Sequence, residues 1–406
     1  MNKPRLFYIL FSFFLIVGCK EEIQTVQSLT SIQDGNEIKL EWTPTSVSGF
    51  KYYRIMRASD GQHFSTINNV DSVGSDAFNK NITTYTDSNF PYVDSIYYKV
   101  MAFGDEIVSS SNVCIHVKKP IMVSQYISNA YVLPEEKKIL VYVENWSDSY
   151  MYLFDYNTNQ LIDKVKINIH STGSAVFFGK YNSKYEFYFF DSWNNNIYIY
   201  DALTLAQIAS VNFWNFYSEF STNNNGTIYS NNGSNYTTII DRKNLTIKSY
   251  IGTNYIDKLY YMNVNNKLLA SYYNKIVLYS LDVTGNITAE NPKSFNYSSN
   301  PIYIENSNLV YWGDSGSKKI INTDNWQENT LTISNNVYKE FSILYSTKNV
   351  IYACTNYETK VYCFSMTDFK LIKTVDIRFI PNKFLSDSSY LFFYGNSIVD
   401  KIRLVQ

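Results

Sequence analysis

The side chains best suited to chemistry in this sequence are aromatic and sulfur-bearing. Trp146, Trp193, Trp214, Trp312 and Trp326 all fall in the later part of the chain, several of them beside Asn, Asp or Ser. An indole face next to hydrogen-bonding amides suits a sugar or peptide ligand, so these five are the ligand-binding candidates; the competing role for each is a place in an apolar core. Cys354 and Cys363 flank Thr355 to Tyr362, which reads as a hairpin turn. Strands paired symmetrically about that turn would bring the two thiols face to face, and an oxidising compartment would permit a disulfide. Cross-strand disulfides are strained, however, and two small buried hydrophobes are the alternative. Cys114 has no evident partner.

Conventional catalytic signatures are missing. There is no Gly-x-Ser-x-Gly elbow, no glycine-rich phosphate loop, no His-Glu-x-x-His and no paired-cysteine metal spacing. No catalytic residue, metal site or cofactor is therefore assigned. His63, His116 and His170 lie far apart, and Asp155, Asp201 and Asp241 recur at equivalent turns, where Asp caps backbone amides. Asp191 to Asn196 and Asn223 to Gly226 could hold calcium but read as tight hairpin loops. Formal net charge is −1, from 35 basic and 36 acidic residues, with no Lys/Arg stripe. That excludes a nucleic-acid partner.

The first residues hold Lys3 and Arg5, then an apolar run from Leu6 to Val17 interrupted only by Ser12, then Gly18-Cys19. The order is that of a cleavable signal peptide, and the run is too short to span a bilayer. Ile16-Val17-Gly18-Cys19 resembles the bacterial lipobox, although Ile16 stands where leucine is usual and Val17 is bulkier than the usual small residue. The resemblance implies that Cys19 is lipidated and becomes the new N-terminus. Each buried acyl CH₂ contributes about 0.8 kcal/mol, so several chains would make attachment effectively permanent. Lys20-Glu21-Glu22 resembles a short signal that sends some lipoproteins to the outer face of the outer membrane, or is a solvated linker. The organisation expected is a signal peptide over 1–18 and a lipidated linker over 19–27.

The elements that must position any site are strands. Of 406 residues, 17% are aromatic, 38 are tyrosine and only 17% are charged. Strand formers dominate, and the chain is expected to be all-β. Between residues 28 and 119, seven short runs separated by turn signals fit a small sandwich. Leu40-Glu41-Trp42, Lys51 to Arg57 and Tyr98 to Ala102 resemble the core strands of fibronectin type III modules. One departure is Ile96, which occupies the position of the family's corner tyrosine.

Residues 120–406 repeat a different unit: an alternating strand, a turn and a second strand, preceded by two further strand candidates. Equivalent turn positions 155, 201, 241, 282, 323 and 368 are spaced by 46, 40, 41, 41 and 45 residues. A period near 40 to 45 with four strands per repeat is that of propeller blades, and the segment resembles WD40 or quinoprotein-like propellers without the Trp-Asp and Gly-His signatures. Seven blades are expected if the spare strand Ile121 to Tyr126 completes the C-terminal repeat; six or eight remain open.

The function expected is that of a non-enzymatic cell-envelope lipoprotein, held to the membrane by its N-terminal lipid. Its propeller would bind a glycan, a peptide or an envelope protein partner. The alternatives are a polysaccharide-active enzyme with acids on the central face and a structural subunit of an outer-membrane assembly.

Overall fold

The structure is a computed structural model. It describes residues 28–405 except 36, 68–79, 92, 145–147, 168–175, 192–193, 213–219, 224, 232–235, 252–255, 257, 273–274, 296–300, 314–317 and 334–338. Cys19, His170, Trp146, Trp193 and Trp214 therefore lie outside the described residues. Among the described residues every regular element is a strand. The chain divides into two compact units, one built mainly from residues 40–85 and 95–116, the other mainly from 117–406.

Leu29–Asp34, Glu37–Trp42 and Thr84–Asp87 form a three-stranded sheet. In the smaller unit a five-stranded sheet holds Ser65–Thr66, Tyr52–Ala58, Ser95–Phe103 and Ile107–Ser109, with Val113–His116 also paired to Ser95–Phe103. Alternation decides which face is core. Ile96, Tyr98, Val100 and Ala102 are fully buried, whereas their neighbours in the strand are half-buried. Trp42 meets Tyr53 edge-on at 5.4 Å. Ile96 brings no hydroxyl to its corner, but Tyr53 supplies one elsewhere: it accepts from the Thr45 amide at 2.9 Å and donates to the Lys80 carbonyl at 3.0 Å.

A charged cap organises one exposed turn of this unit. Asp60 accepts the backbone amides of Gln62 and His63, each at 2.9 Å, and its other oxygen lies 2.5 Å from His63 Nδ1. The hydrogen bond, and then the carboxylate charge, raise the His63 value above 6.5. The same partner lowers Asp60 below 3.8. The contribution of the pair is thus fullest between these two ordinary values. It fades as pH rises through the raised imidazole value and as pH falls through the depressed carboxyl value. An NMR titration should show His63 holding its proton to higher pH than a free imidazole, and Asp60→Asn should remove the difference.

The larger unit contains seven four-stranded antiparallel sheets in chain order, spanning 127–167, 176–212, 220–251, 258–294, 302–329, 343–376 and 383–403, the last with Ile121–Met122 as its fourth strand. In that sheet Met122 pairs with Ile398 and Ile121 with Val399. Within each of the other six, strands run consecutively from inside to outside. The second strands are buried on both faces, as in Ile139 to Val143 and Val350–Cys354, because each sheet stacks between two others. Outermost strands are exposed, with Leu161, Ile162, Ile208, Ile247 and Ile372 among the accessible apolar side chains. Charges such as Asp163, Lys164 and Lys166 interrupt these edges, and Pro292 lies within the outermost strand of the fourth sheet. The seventh sheet closes on the first: Tyr394 donates to Asn129 Oδ1 at 3.3 Å and Tyr156 to Asp387 Oδ2 at 2.6 Å.

Turns between third and fourth strands are capped as their Asp content implies. Asp155, Asp201, Asp241 and Asp282 each accept a backbone amide two residues on, at 2.8, 2.9, 2.8 and 2.8 Å. The next two caps are Asn322, which accepts the Asp324 amide at 2.8 Å, and Ser365, which accepts that of Thr367 at 3.1 Å. They correct the expected positions 323 and 368. Capping needs only a short side-chain acceptor at the first turn residue, so Asn and Ser serve as well as Asp.

Candidate functional site

The seven innermost strands, Ile127–Leu133, Val176–Tyr181, Phe220–Thr222, Lys258–Met262, Ile302–Ile304, Ile343–Ser346 and Lys383–Ser386, all contribute to one open cavity of about 760 Å³. Close approach of neighbouring strands sets its bore. A side chain added at Gly179 would meet Thr222 Oγ1 at 2.4 Å, and that hydroxyl donates to the Phe178 carbonyl at 3.0 Å. Here glycine is required by contact, not by backbone angle.

Two ion pairs stand in the wall. Lys383 Nζ is 2.8 Å from Glu305 Oε1, joining the seventh sheet to the end of an innermost strand of the fifth. Enclosure alone would lower the Lys383 ammonium, but the Glu305 charge, with Tyr394 and Tyr131, holds it above its ordinary value. About a third of each side chain stays accessible, 36% for Lys383 and 38% for Glu305, because the cavity admits water-sized groups. Lys180 Nζ lies 2.7 Å from Glu135 Oε1 and 4.3 Å from the Tyr185 ring centre. Its hydrogen bond holds Glu135 below the usual carboxylate range.

Around these charges run neutral polar groups. Tyr345 receives a hydrogen bond from Asn306 and meets Ser386 Oγ at 2.8 Å, and Asn263 Nδ2 reaches Asn306 Oδ1 at 3.4 Å. Burial pushes the Tyr345 hydroxyl up to about 12, so it stays protonated. Several of the aromatic rings pack on one another. Phe178 stacks with Tyr131 at 4.9 Å and with Tyr185 at 5.6 Å, and Phe177 with Tyr188 at 4.8 Å and with Phe220 at 4.9 Å. The cavity thus offers a guest hydroxyl and amide hydrogen bonding and apolar side chains such as Val132, Val176 and Leu259, beside two neutralised pairs.

The tryptophans expected to bind ligand are not part of this cavity where they are described. Trp312 is a correction: it ends the strand Leu309–Trp312, is 0% exposed, and packs edge-on against Phe295 at 4.8 Å. A fully buried indole cannot be a ligand platform. Trp326 is half-buried in an outer turn with φ of 61°, its amide donating to the Asn322 carbonyl at 2.7 Å. Sequence reasoning missed the channel residues. The available signal was their place in the innermost strand of each repeat, where Tyr131, Phe178, Tyr261, Tyr303, Tyr345 and Lys383 recur.

Of the two readings of Cys354 and Cys363, a disulfide or two small buried side chains, the structure holds the second. Cys354 and Cys363 are free and buried. Tyr352, not Cys354, pairs with Cys363, so the two thiols are staggered by two residues. Burial pushes each up to about 12. A thiol reagent should modify Cys114, which is exposed, in the native protein, and Cys354 and Cys363 only after denaturation. Two protected thiols that stay unreactive in denaturant would mean a bond after all. Among the described residues no cluster of His, Cys, Asp or Glu could hold a metal ion. Asp191 and Asn223 instead accept nearby backbone amides, from Asn194 at 3.2 Å and Thr227 at 2.8 Å.

No protein-family model and no curated protein matches the sequence. Solved structures similar to it include U3-55K, with TM-score 0.52 and 10% identity over 70% of this chain and 96% of that one. The Neurospora crassa Pan2 WD40 domain matches with TM-score 0.52 and 9% identity, over 70% and 92%. The Myceliophteria thermophila Cps50 (Swd1) β-propeller domain matches with TM-score 0.52 and 10% identity, over 70% and 99%. At such identity the likeness is one of fold, and the fold is that of a WD40-like β-propeller.

Proposed function

We propose that this chain is a non-enzymatic lipoprotein of the bacterial cell envelope, held in the outer membrane by Cys19, with a fibronectin type III-like module over 28–119 and a seven-bladed propeller. The propeller binds a glycan, a peptide or an envelope protein at its central channel. The observation that carries this reading is the open channel of about 760 Å³ with hydroxyls and amides in its wall, a size and chemistry suited to ligand capture. A glycosidase would need a carboxyl with a raised value as general acid. In the channel Glu135 shows the opposite tendency, held below the usual carboxylate range by its hydrogen bond from Lys180.

Two measurements test the proposal. Wild-type protein should remain in washed membranes and Cys19→Ser should move to the soluble fraction; a membrane-bound Cys19→Ser protein would refute the lipid anchor. Full-length protein in detergent should retain a glycan on an array, or copurify with an envelope protein, or both. Failure of both assays sinks the binding role.

A further inference from the structure

We propose that the central channel is selective for an uncharged, hydroxyl-rich ligand, the terminal residues of a neutral oligosaccharide. This rests on the ligand-binding role proposed above and names its chemistry. The channel has already used its charges. Lys383 faces Glu305 at 2.8 Å and Lys180 faces Glu135 at 2.7 Å, so among the described lining residues an anionic or cationic guest finds no unpaired counter-charge and must break a pair to gain one. Part of its aromatic surface is engaged within the wall, where Phe178 stacks with Tyr131 and Tyr185. The wall also carries hydrogen-bonding groups, the exposed Asn263 amide and the Asn306–Tyr345–Ser386 relay. Carbohydrate hydroxyls both donate and accept, which matches a wall that mixes amide and hydroxyl groups. The volume, about 760 Å³, lies within the range of small-molecule sites and suits a short oligosaccharide.

The same geometry predicts a gain of binding. Glu305→Gln keeps the side chain's shape but releases the Lys383 ammonium from its partner, creating an anion site where none was available. The experiment is calorimetric titration of the full chain, in a detergent without a sugar headgroup, with maltotriose, cellotriose, mannotriose, trigalacturonate and trilysine. The expected result is that wild type binds at least one neutral trisaccharide and neither charged trimer. Asn263→Ala with Ser386→Ala should weaken that binding about tenfold with an unchanged melting temperature. Glu305→Gln should acquire trigalacturonate binding. Wild-type preference for trigalacturonate or trilysine would overturn the inference, as would neutral binding indifferent to the double substitution. If all five probes fail while an envelope protein copurifies in stoichiometric amount, the sugar inference falls and the binding role stands; if nothing copurifies and no glycan is retained on the array either, both fall.

Discussion

Trp312→Ala is expected to destabilise the propeller by about 3–5 kcal/mol, the usual cost of emptying a fully enclosed aromatic site. The indole is 0% exposed and belongs to a core shared by Met262, Leu269, Leu278, Tyr303, Val310 and Ile321, which come from the fourth and fifth sheets. The void would therefore open between two sheets, where neither can collapse without moving the other. Denaturant unfolding followed by far-UV circular dichroism measures the loss, and Trp312→Phe should recover a large part of it. A change under about 1 kcal/mol would mean that the side chain is not enclosed as described.

Arg242→Ala should be comparably damaging through electrostatics. The guanidinium donates to Glu186 with Nε at 2.9 Å from Oε2 and Nη2 at 3.1 Å from Oε1, linking the third sheet to the second. Tyr188 donates to the same carboxylate at 2.7 Å. The side chains are only 12% and 4% accessible, so removing the arginine strands a buried negative charge at a cost of about 3–5 kcal/mol. Adding Glu186→Gln should restore part of that stability, because the stranded charge disappears with it. A double mutant as unstable as the sum of both single changes would exclude this pairing as the cause.

How much of this was legible depended on the range of the interaction. Runs such as Ile139 to Val143 and Val350–Cys354 announced themselves because a strand enclosed on both faces needs apolar side chains at every position. The turn period was visible for the same local reason: a capping acceptor acts on amides two or three residues away. Register was less accessible. Cys363 pairs with Tyr352, two residues from Cys354, because the segment between the strands is not centred where its sequence suggests, so of the two readings left open for these thiols the unbonded, buried one holds. For Trp312, the preceding Leu309-Val310-Tyr311 already marked a core strand, and that signal should have outweighed the neighbouring Gly313 and Asp314. The channel was the least legible part. Lys383 and Glu305 are brought together only by sheets that follow one another around the ring, and nothing local to either residue names the other.

The pairing of Ile121–Met122 with Ile398 and Val399 has a consequence in time. Six of the seven sheets can assemble from continuous stretches of chain, each as its own strands become available. The seventh must hold a segment from the start of the propeller in waiting until Ile398 and Val399, more than 270 residues later, have appeared. Such a long-range contact forms late, after its loop-closure entropy has been met. A growing chain would thus carry two unsatisfied edges through most of its synthesis, and the completing event would be a single, slow capture. Protection from association with other chains would be needed during that interval more than at any later one.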